Sequence, residues 1–289
     1  MIRHLPQGVP ALLDYWASLV ADDGQFALLE AAVCVAQDED AALDVQAVLA
    51  EIDRLAARLK ARLPADASAL MRLRALCRYF FDELGFAGNV NDYYDPRNSL
   101  LHQVLATRRG IPITLALLFI ELAQQIGLPA QGVSFPGHFL VKLRLPAGEV
   151  VIDPFDGRSL SREQLDERLQ PYLRQQGLQG EFEAPLGLFL QAAPARDVLA
   201  RLLRNLKEIH RSAEDWPRLL AVQQRLVCLL PDAAEERRDR GLVWAEIGRS
   251  AEAVADLEAY LAARPAAEDA AALRQRLAEL RSDGAPRLH

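Results

Sequence analysis

Between Ala130 and Pro154 the hydrophobic pattern leaves the three-and-four spacing that governs most of the chain and takes on strand character. Three apolar runs, Ala130–Phe135, His138–Leu145 and Glu149–Pro154, are separated by turn formers, and Leu145-Pro-Ala-Gly148 reads as a hairpin turn. A small antiparallel sheet set among helices makes this an α+β chain. If the turn uses four residues, Arg144 faces Glu149, Leu140 faces Asp153, and His138 lies diagonal to Asp153 on the same face, roughly 7 to 8 Å away. A three-residue turn puts the two on opposite faces.

A histidine and an aspartate on neighbouring strands form the base and the orienting group of a nucleophile-activating dyad. The stretch from Asn91 to Gly157 gathers the other residues of chemical interest. Tyr93, Tyr94, Asp95, Pro96, Arg97 and Asn98 either build a turn and cap or line a cleft, with Arg97 or Arg109 offering a fork for a carboxylate. His138 and Asp153 are equally readable as a buried pair that holds the hairpin and as a binding site. A metal site from these two with His102 lacks any recognised ligand spacing, so no metal and no cofactor are expected.

Helices surround this stretch. Ala11–Val20 and Phe26–Ala36 read as short helices divided at Asp22-Asp-Gly24. Leu43–Leu63 carries apolar residues at 45, 48, 49, 52, 55, 56, 59 and 63 and stops at Pro64. Ala67–Leu84 puts Leu70, Leu73, Leu76, Cys77, Phe80 and Leu84 on one face, which assigns Cys77 to the core. Asn98 or Ser99 is placed to cap a short helix ending near Arg109 and Gly110. Ile111–Ile126 follows, with Pro112 in its first turn, Leu115, Ala116, Phe119, Leu122, Ala123 and Ile126 on the buried face, and Gly127 as its stop. The segment from Leu160 to Gly187 reads as polar, with connector character at Gln175–Gly177 and Gln179–Glu181.

Beyond Pro194 the chain is helical throughout. Pro231 and Pro265 stand 34 residues apart, and Leu219 with Ala253, Gln223 with Leu257 and Leu226 with Tyr260 occupy equivalent places. That period resembles a tetratricopeptide repeat. Gly241, Trp244, Gly248, Ala253, Leu257, Tyr260 and Pro265 give the clearer copy, with Trp244 and Tyr260 as packing residues. The earlier copy has Lys207 where a small residue is expected and His210 at the aromatic place. About two repeats fall short of the three or so that stand alone.

Gly110-x-Pro-x-Thr114 opening a helix, Gly127-Leu-Pro fifteen residues after Pro112, Pro136-Gly-His-Phe and Ile152-Asp-Pro together resemble the core of the transglutaminase-like superfamily. With the repeats, the whole chain is similar to bacterial SirB-type proteins. The resemblance implies a mainly helical N-terminal part over 1–90, a papain/transglutaminase-like core and connector over 91–187, and a tetratricopeptide-repeat tail over 194–282. In catalytic members a Cys at the helix start, a His and an Asp form a triad, the thiolate being stabilised by the helix N-terminus and by imidazolium. Counting back from Gly127, the Cys position falls on Pro112, while His138 and Asp153 match the other two members. Thr114 leaves the helix roughly 200° around from Pro112, so its hydroxyl is expected to satisfy a local backbone group instead. The resemblance therefore implies a non-catalytic protein that binds a protein or peptide and acts in regulation. The alternative is an amidase, peptidase or acyltransferase using His138 and Asp153 with an unrecognised Ser, Thr or Cys nucleophile. A third reading makes the domain structural support for a repeat-based adaptor.

Composition narrows the partners. A net charge of -7 with basic residues interleaved among acids leaves no nucleic-acid footprint. Cys34, Cys77 and Cys228 are odd in number, far apart and without a C-x-x-C pair, which argues against a disulfide framework or a structural zinc and fits a cytoplasmic setting. Arg3 and His4 precede only a short apolar run, Ala27–Ala36, interrupted by Glu30, so neither a signal peptide nor a membrane span is expected.

Overall fold

A computed structural model describes residues 9–146, 148–178 and 184–283. In chain order its helices are α1 Val9–Leu19, α2 Leu28–Cys34, α3 Val45–Lys60, α4 Ala69–Cys77, α5 Leu101–Thr107, α6 Pro112–Gln125, α7 Arg162–Gln175, α8 Leu186–Phe189, α9 Ala195–Ser212, α10 Trp216–Leu229, α11 Ala234–Glu246, α12 Ser250–Ala263 and α13 Ala270–Asp283. The strands are β1 Ala87–Gly88, β2 Arg109–Gly110, β3 Ala130–Val133, β4 Leu140–Leu145, β5 Gly148–Ile152 and β6 Ser159–Leu160. Two compact units result. One is Ala27–Leu202, and the other joins the segment up to Phe26 to the segment from Leu203 onward, the division falling inside α9.

In the first unit α6 is the central helix. Every residue from Pro112 to Phe119 is buried, as expected of a helix apolar on all sides. Helices α3, α4 and α5 and strands β3 and β4 pack around it. The four-stranded sheet runs β3-β4-β5-β6, antiparallel throughout. Its hairpin register pairs Arg144 with Glu149 and Leu145 with Gly148, as the four-residue turn requires. Ala147, inside that turn, lies outside the described residues.

Strand β4 is buried on both faces, so the sheet is a middle layer. Leu140 joins Val133, Val151 and Leu160 in a cluster with Leu165, Leu169 and Leu173 of α7 and with Leu186. Val141 and Leu143, by strand alternation, point the other way and are equally buried. The second layer was not expected: Leu160–Gly187 reads as polar, with connector character at Gln175–Gly177 and Gln179–Glu181, yet Arg162–Gln175 is α7. Only three leucines of α7 face inward, at i, i+4 and i+8, and Pro171 sits in its interior, so the apolar signal is thin. The start is nevertheless well specified, because Ser161 and Gln164 form a reciprocal capping box. Gln179–Glu181 lie outside the described residues.

Other elements depart from expectation in instructive ways. Ala67–Leu84 is α4 followed by a π-turn over Arg78–Glu83. Leu73, Leu76 and Phe80 are buried as expected, Phe80 stacking on Phe86, while Leu70 in the first turn of α4 is exposed. The strands are also shorter than their apolar runs, ending at Val133 and Ile152 and starting at Leu140.

In the second unit α10 and α12 end at Leu229 and Ala263, each followed two residues later by the prolines that mark the 34-residue period. Gly241 of α11 lets α12 approach closely, since a Cβ there would lie 3.0 Å from Leu257. Tyr260 is buried and donates its hydroxyl to Asp269 at 2.9 Å, and Trp244 packs against the same cluster. Lys207, at the place expected to be small, is buried and paired with Glu236 at 2.7 Å and Asp239 at 2.5 Å. A charge network thus replaces small-residue packing in the first copy.

Candidate functional site

Two turns build the site. Pro136-Gly137 closes the first: the His138 N–H donates to the Phe135 carbonyl at 3.0 Å, and Gly137 takes φ +69°, the left-handed conformation that such a turn assigns to glycine. His138 therefore lies in the turn before β4, not on the strand. Asp153 likewise falls just past β5, where its N–H donates to Arg158 and its carbonyl accepts from Gly157. Leaving the strands brings the two side chains closer than a diagonal pair. His138 Nε2 lies 2.7 Å from Asp153 Oδ1.

Asp153 is 3% exposed and accepts on both oxygens. Oδ1 takes His138 Nε2 and the Phe155 N–H at 3.0 Å, and Oδ2 takes Arg168 Nη1 at 2.7 Å. Burial alone would push its carboxyl up, but the hydrogen bonds from His138 and Arg168 outweigh it and hold the group below the usual carboxylate range. An ionised carboxylate only accepts, so Nε2 carries the proton and Nδ1 of a neutral ring presents a lone pair. The Asp153 contact is the one side-chain hydrogen bond of His138 among the described residues. No hydroxyl or thiol hydrogen-bonds the ring there.

The Thr114 and Ser134 hydroxyls make other contacts, and the fully buried Ser99 Oγ has no hydrogen-bond partner among the described residues. Thr114 is fully buried; its Oγ1 donates to Asn98 O at 2.8 Å and accepts from the Ile111 N–H at 3.2 Å, capping the start of α6 as expected. Gly110 makes room for it, because a Cβ would stand 2.8 Å from that hydroxyl. Ser134 Oγ accepts from Arg201 Nη1 at 2.7 Å. Pro112, whose ring carries no nucleophile, is N1 of α6 and buried. Cys77 is half-buried, and burial pushes its thiol up to about 11.

The loop from Val90 to Asn98 is held by Asn98 rather than capped by it. Asn98 Nδ2 donates to the carbonyls of Asp92 and Tyr93 at 2.7 and 3.2 Å, and its Oδ1 accepts from Asn89. The capping role belongs to Asp95, which accepts from the Arg97 N–H at the start of the 3-10 turn Pro96–Ser99, while α5 begins at Leu101 and its N-cap residue, Leu100, offers no side-chain bond. Arg97 closes its fork on Asp95, and Arg109 Nη1 donates to the carbonyls of Gly85 and Arg108. Both forks expected to face a cleft are thus used internally.

Tyr93 does reach the dyad's surroundings: its ring lies 6.2 Å from Phe155, which lies 6.5 Å from His138. Phe155 is held by a backbone bond from Gly88, where a Cβ would collide with the ring at 2.1 Å. Sequence reasoning did not single out Phe155, Arg168 or Arg201. The capping box of α7 was the signal that could have placed Arg168, seven residues beyond Ser161. Among the described residues no cluster of His, Cys, Asp and Glu could hold a metal ion, and no helix is long and apolar enough to cross a membrane.

A hydrogen-bonded His–Asp pair, a helix opened by Gly-x-Pro-x-Thr and tetratricopeptide-type helices that follow them in the chain point to a transglutaminase-like domain joined to repeats. A profile of the transglutaminase-like superfamily matches residues 46–204, and a tetratricopeptide-repeat profile matches residues 206–278. UPF0162 proteins of Xylella fastidiosa strain Temecula1 and of Pseudomonas aeruginosa are 37% and 34% identical over 274 and 263 residues. These alignments cover 94% and 91% of this chain and 96% and 94% of the relatives. The chain belongs to the transglutaminase-like superfamily and, within it, to the UPF0162 proteins. An 84-residue stretch, 29% of the chain, is 43% identical to human F-box only protein 21, of which it covers 13%. No solved structure matches the chain.

Proposed function

We propose that this is a non-catalytic, SirB-type transglutaminase-like protein that uses the surroundings of His138 to bind a protein or peptide in a regulatory role in the cytoplasm. The observation that carries this reading is the state of His138, whose only side-chain hydrogen bond among the described residues goes to Asp153. Base and orienting group are assembled, but the position matched to the nucleophile is Pro112. Tyr93, Asp95, Arg97, Asn98, Arg109 and Thr114 then frame a binding loop, with Asp95, Asn98 and Thr114 shaping it and Tyr93 exposed to a ligand. Tetratricopeptide repeats generally mediate protein–protein interaction, and the groove of about 550 Å³ lined by Trp216, Leu219, Leu242 and Leu273 offers a second surface. The division of labour among 1–90, 91–187 and 194–282 is part of the same proposal.

A second reading, an amidase, peptidase or acyltransferase, is favoured by the oriented imidazole, whose Nδ1 has no hydrogen bond among the described residues. Assaying wild type and His138→Ala on peptide amides and thioesters decides between the two. The proposal expects no turnover that depends on His138; loss of a measurable rate on His138→Ala would favour the enzyme.

A further inference from the structure

Arg201 stands at the turn that presents His138. Its Nη1 donates to Ser134 Oγ at 2.7 Å and to Phe135 O at 3.2 Å, and that carbonyl also takes the His138 N–H. The guanidinium lies 5.7 Å over the Phe139 ring, partly buried. Arg97 is paired with Asp95, Arg168 with Asp153 and Arg158 with Asp156, while Arg109 gives its Nη1 to two carbonyls. Arg201 meets no carboxylate among the described residues. Burial draws its guanidinium below the ordinary arginine value, which the nearby Tyr93 phenol partly offsets.

The Phe139 ring face attracts the guanidinium, and the N–H groups not used by Ser134 and Phe135 meet no protein acceptor among the described residues. Both protein bonds of Arg201 use Nη1. Nε and Nη2 carry three further N–H groups, and this edge is the one that grips planar oxyanions with two parallel bonds. Ser134 accepts from Arg201, so its own O–H is left to donate to the same acceptor. The Phe135 carbonyl that Arg201 grips also accepts the His138 N–H, which sets this edge at the turn that presents His138.

We propose that the Nε and Nη2 edge of Arg201, with the Ser134 hydroxyl, is a subsite for an oxyanion, a carboxylate or a phosphate, on a ligand held beside His138. It rests on the reading of this region as a binding site and names the chemistry of what binds. An acidic side chain or a peptide C-terminus would supply a carboxylate; a phosphorylated residue or a free phosphate would supply the other.

The full chain, with ¹⁵N in its arginine side chains, is titrated with inorganic phosphate and separately with glutarate at constant ionic strength. Calorimetry is run in parallel on wild type, Arg201→Gln and Arg54→Gln, the last at an exposed α3 arginine paired with Glu51. The expected result is a saturable shift of the Arg201 Nε–H resonance, with affinity weakened about tenfold in Arg201→Gln and unchanged in Arg54→Gln. The anion that binds more tightly identifies the source. If neither anion shifts that resonance saturably, or if folded Arg201→Gln binds as well as wild type, the subsite is refuted. The wild-type resonance decides the matter even where Arg201→Gln fails to fold. His138-dependent turnover would overturn the non-catalytic reading without touching this titration, and a flat titration would remove the subsite without touching that reading.

Discussion

Oδ2 of Asp153 lies 2.7 Å from Nη1 of Arg168, so the carboxylate bonded to His138 is itself fixed by a cation on α7. That second bond changes what the dyad is. Asp153 joins the turn after β5 to α7, and His138 is held from behind by a three-part arrangement.

Removing the carboxylate should cost stability in a pH-dependent way. Asp153→Asn is expected to lower the unfolding free energy at pH 7 by about 3 kcal/mol, as for breaking a buried, hydrogen-bonded ion pair. The Asp153 carboxyl is held below its ordinary value, so the folded state favours the ionised form. The contribution is fully present above roughly pH 4, where an unfolded aspartate is ionised, and is lost as pH falls through the lower folded value. Urea unfolding of both proteins at several pH values checks this: the gap should be constant above pH 5 and close in acid. A gap that widens in acid would reverse the sign.

The unexpected helix makes its own prediction. Leu169 is 1% exposed in the cluster beneath the sheet, and Leu169→Ala should destabilise by about 2–5 kcal/mol. Leu70, exposed on α4, should tolerate the same change within about 0.5 kcal/mol. Chemical denaturation of the two variants would show whether α7 covers the sheet or merely crosses it.

What the sequence disclosed and what it withheld follow one rule. Features with strong local chemistry were legible: the Pro-Gly turn before His138, the stop at Gly127 and the 34-residue period of the repeats, while the register that sets Arg144 opposite Glu149 was one of two that the hairpin turn allowed. Features decided by partners distant in the chain were not. Arg168 reaches Asp153 from fifteen residues on, and Arg201 reaches Phe135 from sixty-six. No local pattern announces either contact. Leu70 misled because it falls in the first turn of α4, where the stripe buried at Leu73, Leu76 and Phe80 runs out into solvent, and α7 was passed over because polar side chains outnumber its three buried leucines.

Gly88 should prove intolerant of any side chain. A Cβ at 2.1 Å from Phe155 forces the ring to move, and Phe155 separates Tyr93 from His138. Gly88→Ala is expected to cost about 1–3 kcal/mol by overpacking. It should also perturb the Tyr93 and His138 ring resonances, which NMR would register. Unshifted rings would mean that the loop absorbs the methyl group elsewhere.

Cys77 should resist alkylation in the native protein. With its thiol raised to about 11, its thiolate fraction at neutral pH falls roughly a hundredfold or more below that of a free cysteine. Iodoacetamide labelling followed by peptide mass spectrometry should leave Cys77 unmodified until the chain is unfolded. Rapid native labelling at pH 7.5 would contradict the burial that raises it.

The central claim is that His138 activates no nucleophile. Its most direct test is the intact mass of wild type and His138→Ala after exposure to a serine- and threonine-directed fluorophosphonate and to a thiol-directed acyl thioester. The account predicts no adduct whose formation requires His138. A single adduct on Ser134, Thr114 or any cysteine that appears in wild type and vanishes in His138→Ala would show a working nucleophile, and the protein would then be an enzyme.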